Sequence, residues 1–542
     1  MLCKRVDVFI SIIVLTGLIA TADSSEQADA TVPSFDYKAL YQEFASQNAD
    51  RKSLISQFQD NFLKDISSHQ DTQKFLVEQV LQATDCLARH QSNLVKIFLS
   101  EQEQRSASIS KKDAFRRVIS DLSCYDILQF ILQNAPAGIE YLEAADERGW
   151  NALHRAVEFG FTEVVELLLK NGMEASKRIF PVTTVETEKG RTLPYFADMA
   201  PLHLAVVVGE EQIIELLLQY KANVNDKDFF GRTPLDIANV LYNVDHPIVK
   251  LLKQQPSLQE QEVVHETEVP LEVGATLPLK ERNTDLNGGW KTKIDSALMK
   301  KFGQIPCQVR TIEAQKLKVE MFLRDHVSIK RPLRILQGAS SWRSINTWKR
   351  EPFQKSYSSF KVDAGSIPYG EIFGMEHKLI KVGDFLRHMD TSLEHDSEDS
   401  KPAPNYIFDH QILASSSRSL IKKDYEFHPV FKKVWNSFQQ YPQFFLGGPK
   451  TGAPFHYHCH AVNGIAWGTK RWFLIPPSES FYSKEPVWEW VARQDEKEID
   501  RYGFQCIQEA SDILYVPSFW THAVLNLKSS IGAAVETDAI YC

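Results

Sequence analysis

One short plan occurs three times in this chain and constrains its fold more than any other feature. The segments "GWNALHRAVEFGFTEVVELLLKNG" (Gly149–Gly172), "MAPLHLAVVVGEEQIIELLLQYKANVN" (Met199–Asn225) and "GRTPLDIANVLYNVDHPIVKLLKQQ" (Gly231–Gln255) share Leu-His or Leu-Asp, one residue, then Ala. Each continues as a short apolar helix, a turn and a second apolar helix. Such a pair cannot bury its apolar face alone, so the copies must stack into an α-solenoid. Leu202 to Leu235 spans 33 residues and Leu153 to Leu202 spans 49, which leaves an insert of sixteen in the first connection. That insert, around "IFPVTTVETEKGRTLPYF", is expected to project from the stack.

The plan resembles the ankyrin repeat. The resemblance implies a protein-binding surface, with a structural spacer as the plainer alternative, and it makes His154 and His203 hydrogen-bonding residues of the repeat turn. Residues 114–142 carry the same two-helix rhythm without the motif, as a capping repeat would, so the stack is placed at 111–255. Before it, apolar residues at helical spacing predict a helical region over 35–110. After it, residues 256–295 are acidic, contain prolines and lack periodicity, as a linker does.

The first residues combine Lys4 and Arg5, an apolar run from Val8 to Ala20, and Ala20-Thr21-Ala22. A run this short, followed at once by polar residues, predicts a signal peptide over 1–22 rather than a membrane anchor. The mature chain would then have no membrane span and would enter the secretory pathway, to stay in the ER lumen or be secreted. Its cysteines are scattered without a C-x-x-C pair, which indicates neither a zinc ribbon nor a dense disulfide framework. A net charge of −9 without a basic tail argues against nucleic acid as a partner.

From residue 296 to 542 the pattern changes to short alternating strands between turn residues, such as "YPQFFLGG" and "AWGTKRWFLIPP". The whole is thus a multi-domain α and β chain, helical first and ending in a double-sheet jelly roll of the cupin kind. In "FHYHCHAV" alternate residues of an extended strand face one way, so His456, His458 and His460 would share a face. Two imidazoles so spaced can reach one metal ion, and His522 on a later strand can supply a third. Non-haem Fe(II) oxygenases use such a three-ligand face. A local Zn or Cu site of His456, His458 and His460 is opposed by their near-collinear arrangement.

The series "YIFDH", "GAPFHYH", "NGIAWGTKRWFLIPP" and "DILYVPSFWTHAVLNL" resembles the Jumonji-C (JmjC) domain family, nearest its small hydroxylases, over about residues 305–536. The resemblance implies His456, His458 and His522 as iron ligands and no catalytic residue beyond them. It implies that Lys470 pairs with the distal carboxylate of 2-oxoglutarate, with Asn463 and Tyr406 lining the co-substrate cavity and Asn526 orienting neighbouring groups. Three positions depart from the family. His458 replaces an Asp or Glu, which raises the site charge by one. Ala453 and Ala534 replace hydroxyl residues, each hydrogen bond lost being worth roughly 1–1.5 kcal/mol. Three functions stay open: an Fe(II)- and 2-oxoglutarate-dependent hydroxylase of a polypeptide recruited by the repeats, an inactive fold serving as a repeat-based binding scaffold, or a three-histidine dioxygenase that does not use 2-oxoglutarate, against which Lys470 in its motif argues.

Overall fold

The computed structural model describes residues 149–178, 183–255, 307–365, 378–392, 423–436, 441–493 and 503–537, with shorter pieces that include 51–68, 74–84, 108–110, 123–135, 287–290 and 406–409. The expected leader and residues 256–286 of the linker lie outside the described residues.

Helix α1 (Arg51–Ser68) places Leu54, Phe58 and Phe62 four residues apart on one buried face. That face packs on α2 (Ser123–Asn134), and a disulfide between Cys86 and Cys124 ties the two regions together. The expected helical region does not run to residue 110. Ser108–Ser110 form strand β1, which pairs with Phe481–Ser483 of the C-terminal domain. Pairing supplied by a distant segment outweighs local helical tendency there.

The repeats fold as helix pairs: α3 (Ala152–Phe159) with α4 (Thr162–Lys170), α5 (Pro201–Val208) with α6 (Glu211–Gln219), and α7 (Pro234–Leu241) with α8 (Pro247–Lys253). The motif residues cap them. Asn151 accepts the His154 amide at 3.0 Å, and its oxygen also meets the His154 ring at 2.7 Å. Thr233 and Asp236 form a reciprocal capping box. His203 bridges to the next repeat through the Arg232 carbonyl at 3.0 Å. The buried faces of α1, α2 and all three pairs merge into one apolar core.

The insert leaves the stack and docks on the C-terminal domain instead of standing in solvent. It forms a hairpin, β2 (Thr184–Glu186) and β3 (Thr192–Pro194), whose outer Thr184, Glu186 and Thr192 are exposed while Val185 and Leu193 are buried. Those two and Tyr195 join the core of the C-terminal domain. Each such side chain gains roughly 1.5–3 kcal/mol on burial, which favours docking over exposure to solvent. Tyr195 accepts a hydrogen bond from Trp435 Nε1 at 2.8 Å, and Glu188 accepts one from the Val319 amide at 3.0 Å.

The C-terminal domain faces two sheets against each other. Its large sheet runs β4 (Arg310–Glu313), β5 (Leu333–Leu336), β15 (Ile513–Val516), β11 (Ala461–Trp467), β17 (Ser530–Glu536), β9 (Tyr441–Gly447), β8 (Tyr406–Asp409), β6 (Lys361–Gly365) and β7 (Lys378–Lys381). The small sheet runs β10 (Gly452–His456), β16 (Thr521–Asn526), β12 (Thr469–Ile475) and β14 (Phe504–Glu509), and β13 (Phe481–Ser483) pairs with β1. A second disulfide, Cys307–Cys506, ties the entry of the domain to β14, and Cys459 is also disulfide-bonded. Residues 287–290 of the expected linker belong to this domain as well. Trp290 is buried and donates to the Trp348 carbonyl at 2.9 Å.

Repeats and sheets meet through a buried ion pair, Lys330 to Glu158 at 2.8 Å. Lys330 Nζ also lies 4.8 Å from the Phe519 ring centroid, and Phe519 packs edge-on against Phe159 of α3.

Candidate metal centre

Strand β10 ends at His456, so "FHYHCH" is not one continuous strand. The chain leaves the sheet over residues 457–460, and this parts the three histidines that strict alternation would align. His456 opposes His522 of β16 directly, because the two are partners in the ladder. His458 reaches the same point from the loop. Their ligand atoms all lie within 4.8 Å of one another, and all three rings are buried. His460 goes elsewhere: its Nδ1 accepts the Ser518 amide at 3.1 Å and its ring stacks on Trp435.

Each imidazole of the trio is oriented by a backbone carbonyl. Nδ1 of His456 contacts the Pro454 carbonyl at 2.7 Å, Nδ1 of His458 that of Cys459 at 2.7 Å, and Nδ1 of His522 that of Trp520 at 3.0 Å. A carbonyl can only accept, so each Nδ1 carries the proton and each Nε2 keeps a lone pair. Burial, then the neighbouring His458, lowers the His456 pKa to about 4. Burial and the other two imidazoles push His522 down as well. His456 and His522 are thus neutral nitrogen donors at neutral pH, and with His458 they converge as a divalent cation such as Fe(II) requires.

Buried polar side chains from both sheets accompany the trio. On β12, Lys470 is buried, and its Nζ lies 3.3 Å from Tyr406 Oη and 3.2 Å from the Phe445 ring centroid. Among the described residues no carboxylate pairs with it, and desolvation pulls its pKa well below the usual lysine value. Asn526 is its ladder neighbour on β16 and donates to Thr451 Oγ1 at 2.8 Å. On the opposite face, Asn463 of β11 stands level with Ala534 of β17, which stands level with Gln443 of β9. Asn463 and Asn526 each keep a buried amide oxygen without a partner among the described residues. The buried Lys470 ammonium fits an anionic co-substrate such as 2-oxoglutarate, whereas the two unpartnered amide oxygens are acceptors and call for donors. The structure therefore brings Lys470, Tyr406 and Asn526 together and sets Asn463 across from them. Ala453 and Ala534 offer no hydroxyl.

Thr451 and Glu536 were missed by sequence reasoning. Thr451 supplies a buried hydroxyl next to Asn526. Glu536 lies 3.8 Å from His458 Nε2, and Gln443 donates to the same carboxylate oxygen at 2.7 Å. Counting two residues onward from Ala534 along one strand face would have found Glu536.

The double-sheet fold is that of a cupin, and its convergent imidazoles and buried lysine form a candidate metal centre. A family model described as a cupin-like domain matches residues 318–537, and ankyrin-repeat models match 115–169 and 198–229. The JmjC domain-containing protein 8 of Mus musculus is 32% identical over 91 residues, which cover 16% of this chain and 34% of that protein. The lysine-specific demethylase JMJ21 of Arabidopsis thaliana is 23% identical over 243 residues, 40% of this chain and 24% of that protein. The bifunctional arginine demethylase and lysyl-hydroxylase psr-1 of Caenorhabditis briggsae is 21% identical over 257 residues, 43% of this chain and 61% of that protein. The chain thus joins a cupin-like domain, similar to JmjC domain-containing proteins and demethylases, to ankyrin repeats. It matches less than two thirds of the length of each of these relatives.

Proposed function

We propose that the chain is a metal- and 2-oxoglutarate-dependent oxygenase that hydroxylates a polypeptide held by its ankyrin repeats. The observation that carries this reading is the trio of Nε2 lone pairs, each fixed by a carbonyl at its own Nδ1, beside a buried lysine without a carboxylate. Bound Fe(II) would supply oxygen activation coupled to decarboxylation of 2-oxoglutarate. His456, His458 and His522 would hold the metal in one tautomer. Lys470 would bind the distal carboxylate through a charge-assisted bond, positioned by Tyr406 and the Phe445 face. The apolar walls around Trp472 and Val524 would keep water out.

A secretory location is part of the proposal. It is supported by the disulfides Cys86–Cys124 and Cys307–Cys506, which persist in oxidising compartments. The repeats suit a protein partner. No helix among the described residues is long and apolar enough to cross a membrane.

The test is an anaerobic titration of the Fe(II)-loaded chain with 2-oxoglutarate, read as a visible metal-to-ligand charge-transfer band. The band should be absent in His456→Ala and lost or much weakened in Lys470→Met. Iron binding without any band would reject the oxygenase. The second reading, a silent fold that scaffolds a partner, draws on Ala453, Ala534 and His458, and that result would favour it.

A further inference from the structure

The middle-ligand position has lost its carboxylate, yet a carboxylate stands against the site from the opposite sheet. We propose that Glu536 is the carboxylate of this metal centre, supplying from β17 the charge that His458 removed from the loop after β10. This rests on reading the histidine trio as a metal site. Glu536 follows Ala534 by two residues on β17, so both face the same way: Ala534 shares its row with Gln443 and Asn463, and Glu536 lies on the row of Ala461 and Tyr441. Its Oε1 lies 3.8 Å from His458 Nε2. Two donors on one divalent ion, each at roughly 2.0–2.2 Å, are separated by about 3 to 4.2 Å, from adjacent to opposed positions. The separation from His458 falls inside that range, whereas the cluster of ligand atoms within 4.8 Å of one another holds the three histidines alone, so the Glu536 side chain would have to turn towards the ion to join them.

Gln443 fixes the carboxylate by donating Nε2–H to Oε1 at 2.7 Å. A carboxylate has further lone pairs, so this bond leaves capacity for a metal. The chemistry requires such a group. Three neutral imidazoles leave the full +2 charge of the ion in a buried site, and one carboxylate brings it to +1, the charge a two-histidine, one-carboxylate site would have. The donor set becomes three nitrogens and one oxygen. Fewer positions then remain for a co-substrate, so binding of 2-oxoglutarate would have to displace the carboxylate or use the remaining sites.

The experiment is Co(II) binding to the disulfide-intact full chain, read as the dissociation constant and the visible d–d bands. Glu536→Gln keeps an acceptor for Gln443 and the same shape. It is expected to raise the Kd more than tenfold and to shift the bands. His458→Asp on the Glu536→Gln background should recover binding, which an unfolded variant would not. A Kd rise of less than tenfold, or an unchanged spectrum, overturns the proposal. If His456→Ala loses Co(II) while Glu536→Gln does not, this proposal fails and the metal-site reading stands. A Glu536-dependent Co(II) site in a protein with no 2-oxoglutarate band upholds it while rejecting the oxygenase. Absence of saturable Co(II) binding in the unaltered chain overturns both.

Discussion

Replacing Glu158 with Gln is expected to destabilise the chain by about 3–5 kcal/mol, because it strands a buried ammonium. Lys330 and Glu158 meet at 2.8 Å with side chains 7% and 1% exposed, one on the cupin side and the other on repeat helix α3. The Phe519 ring 4.8 Å from Lys330 Nζ contributes a cation–π contact that cannot replace a counter-ion. Replacing both residues, as Glu158→Gln with Lys330→Met, leaves no charge behind and should return stability to within about 1–2 kcal/mol of the unaltered chain. Measuring the Lys330→Met single variant as well closes a double-mutant cycle, which gives the coupling of the pair directly. Urea unfolding followed by tryptophan fluorescence, at 0.05 and at 0.5 M salt, is the assay. Burial should make the coupling nearly independent of salt. Additive single effects, or a Glu158→Gln cost below about 1 kcal/mol, would refute the view that this pair clamps the repeats to the sheets.

Lys470→Met should stabilise the metal-free protein by about 1–3 kcal/mol, since a desolvated cation is removed; a lower melting temperature would contradict this. Acid should destabilise the metal-free chain. Burial holds His154 and His456 near 4 and His326 near 3, so below pH 6.5 the unfolded chain takes up protons that the folded chain refuses. Their contribution is complete above pH 6.5 and is lost as pH falls towards 4, with about 1.4 kcal/mol gone per histidine at pH 5.5. A urea midpoint unchanged from pH 7.5 to 5.5 would count against this. Removing the Cys307–Cys506 bridge, which spans 199 residues, should cost about 5 kcal/mol in the chain-entropy model, and removing Cys86–Cys124, which spans 38, about 4 kcal/mol. A reduced chain with an unchanged midpoint would contradict both figures.

Local signals were readable in the sequence. The repeated Leu-His-x-Ala plan gives capped helices because Asn151 and Thr233 satisfy the first amides within their own turns. The strand pattern of "TKRWFLI" gives β12, buried on both faces. What the sequence hid is non-local. The insert docks because Val185, Leu193 and Tyr195 find a face more than a hundred residues away, and no periodicity within the insert encodes that face. The three histidines of "FHYHCH" were read as one strand face, whereas the Phe519 amide donates to the His458 carbonyl at 2.9 Å and holds a loop there instead. Glu536 was invisible because its partners are set by the register of β17 against β9 and β11.

The same loop explains why repeats and metal centre should act as one unit. Phe519 adopts a left-handed backbone at φ 64°, which costs a bulky residue roughly 1–2 kcal/mol. Three contacts hold it there: its amide on His458, its carbonyl accepting from Ser480 Oγ at 2.6 Å, and its ring against Phe159 of the repeats. Three residues further on is His522. A strained residue persists only where its surroundings over-determine it, and here part of those surroundings is the repeat stack. The stack is therefore more than an appended recognition module. Through Phe159 and the Glu158–Lys330 pair it fixes the segment that carries one imidazole directly and anchors another through its carbonyl. Loosening the stack should weaken metal binding even where every candidate ligand is unchanged.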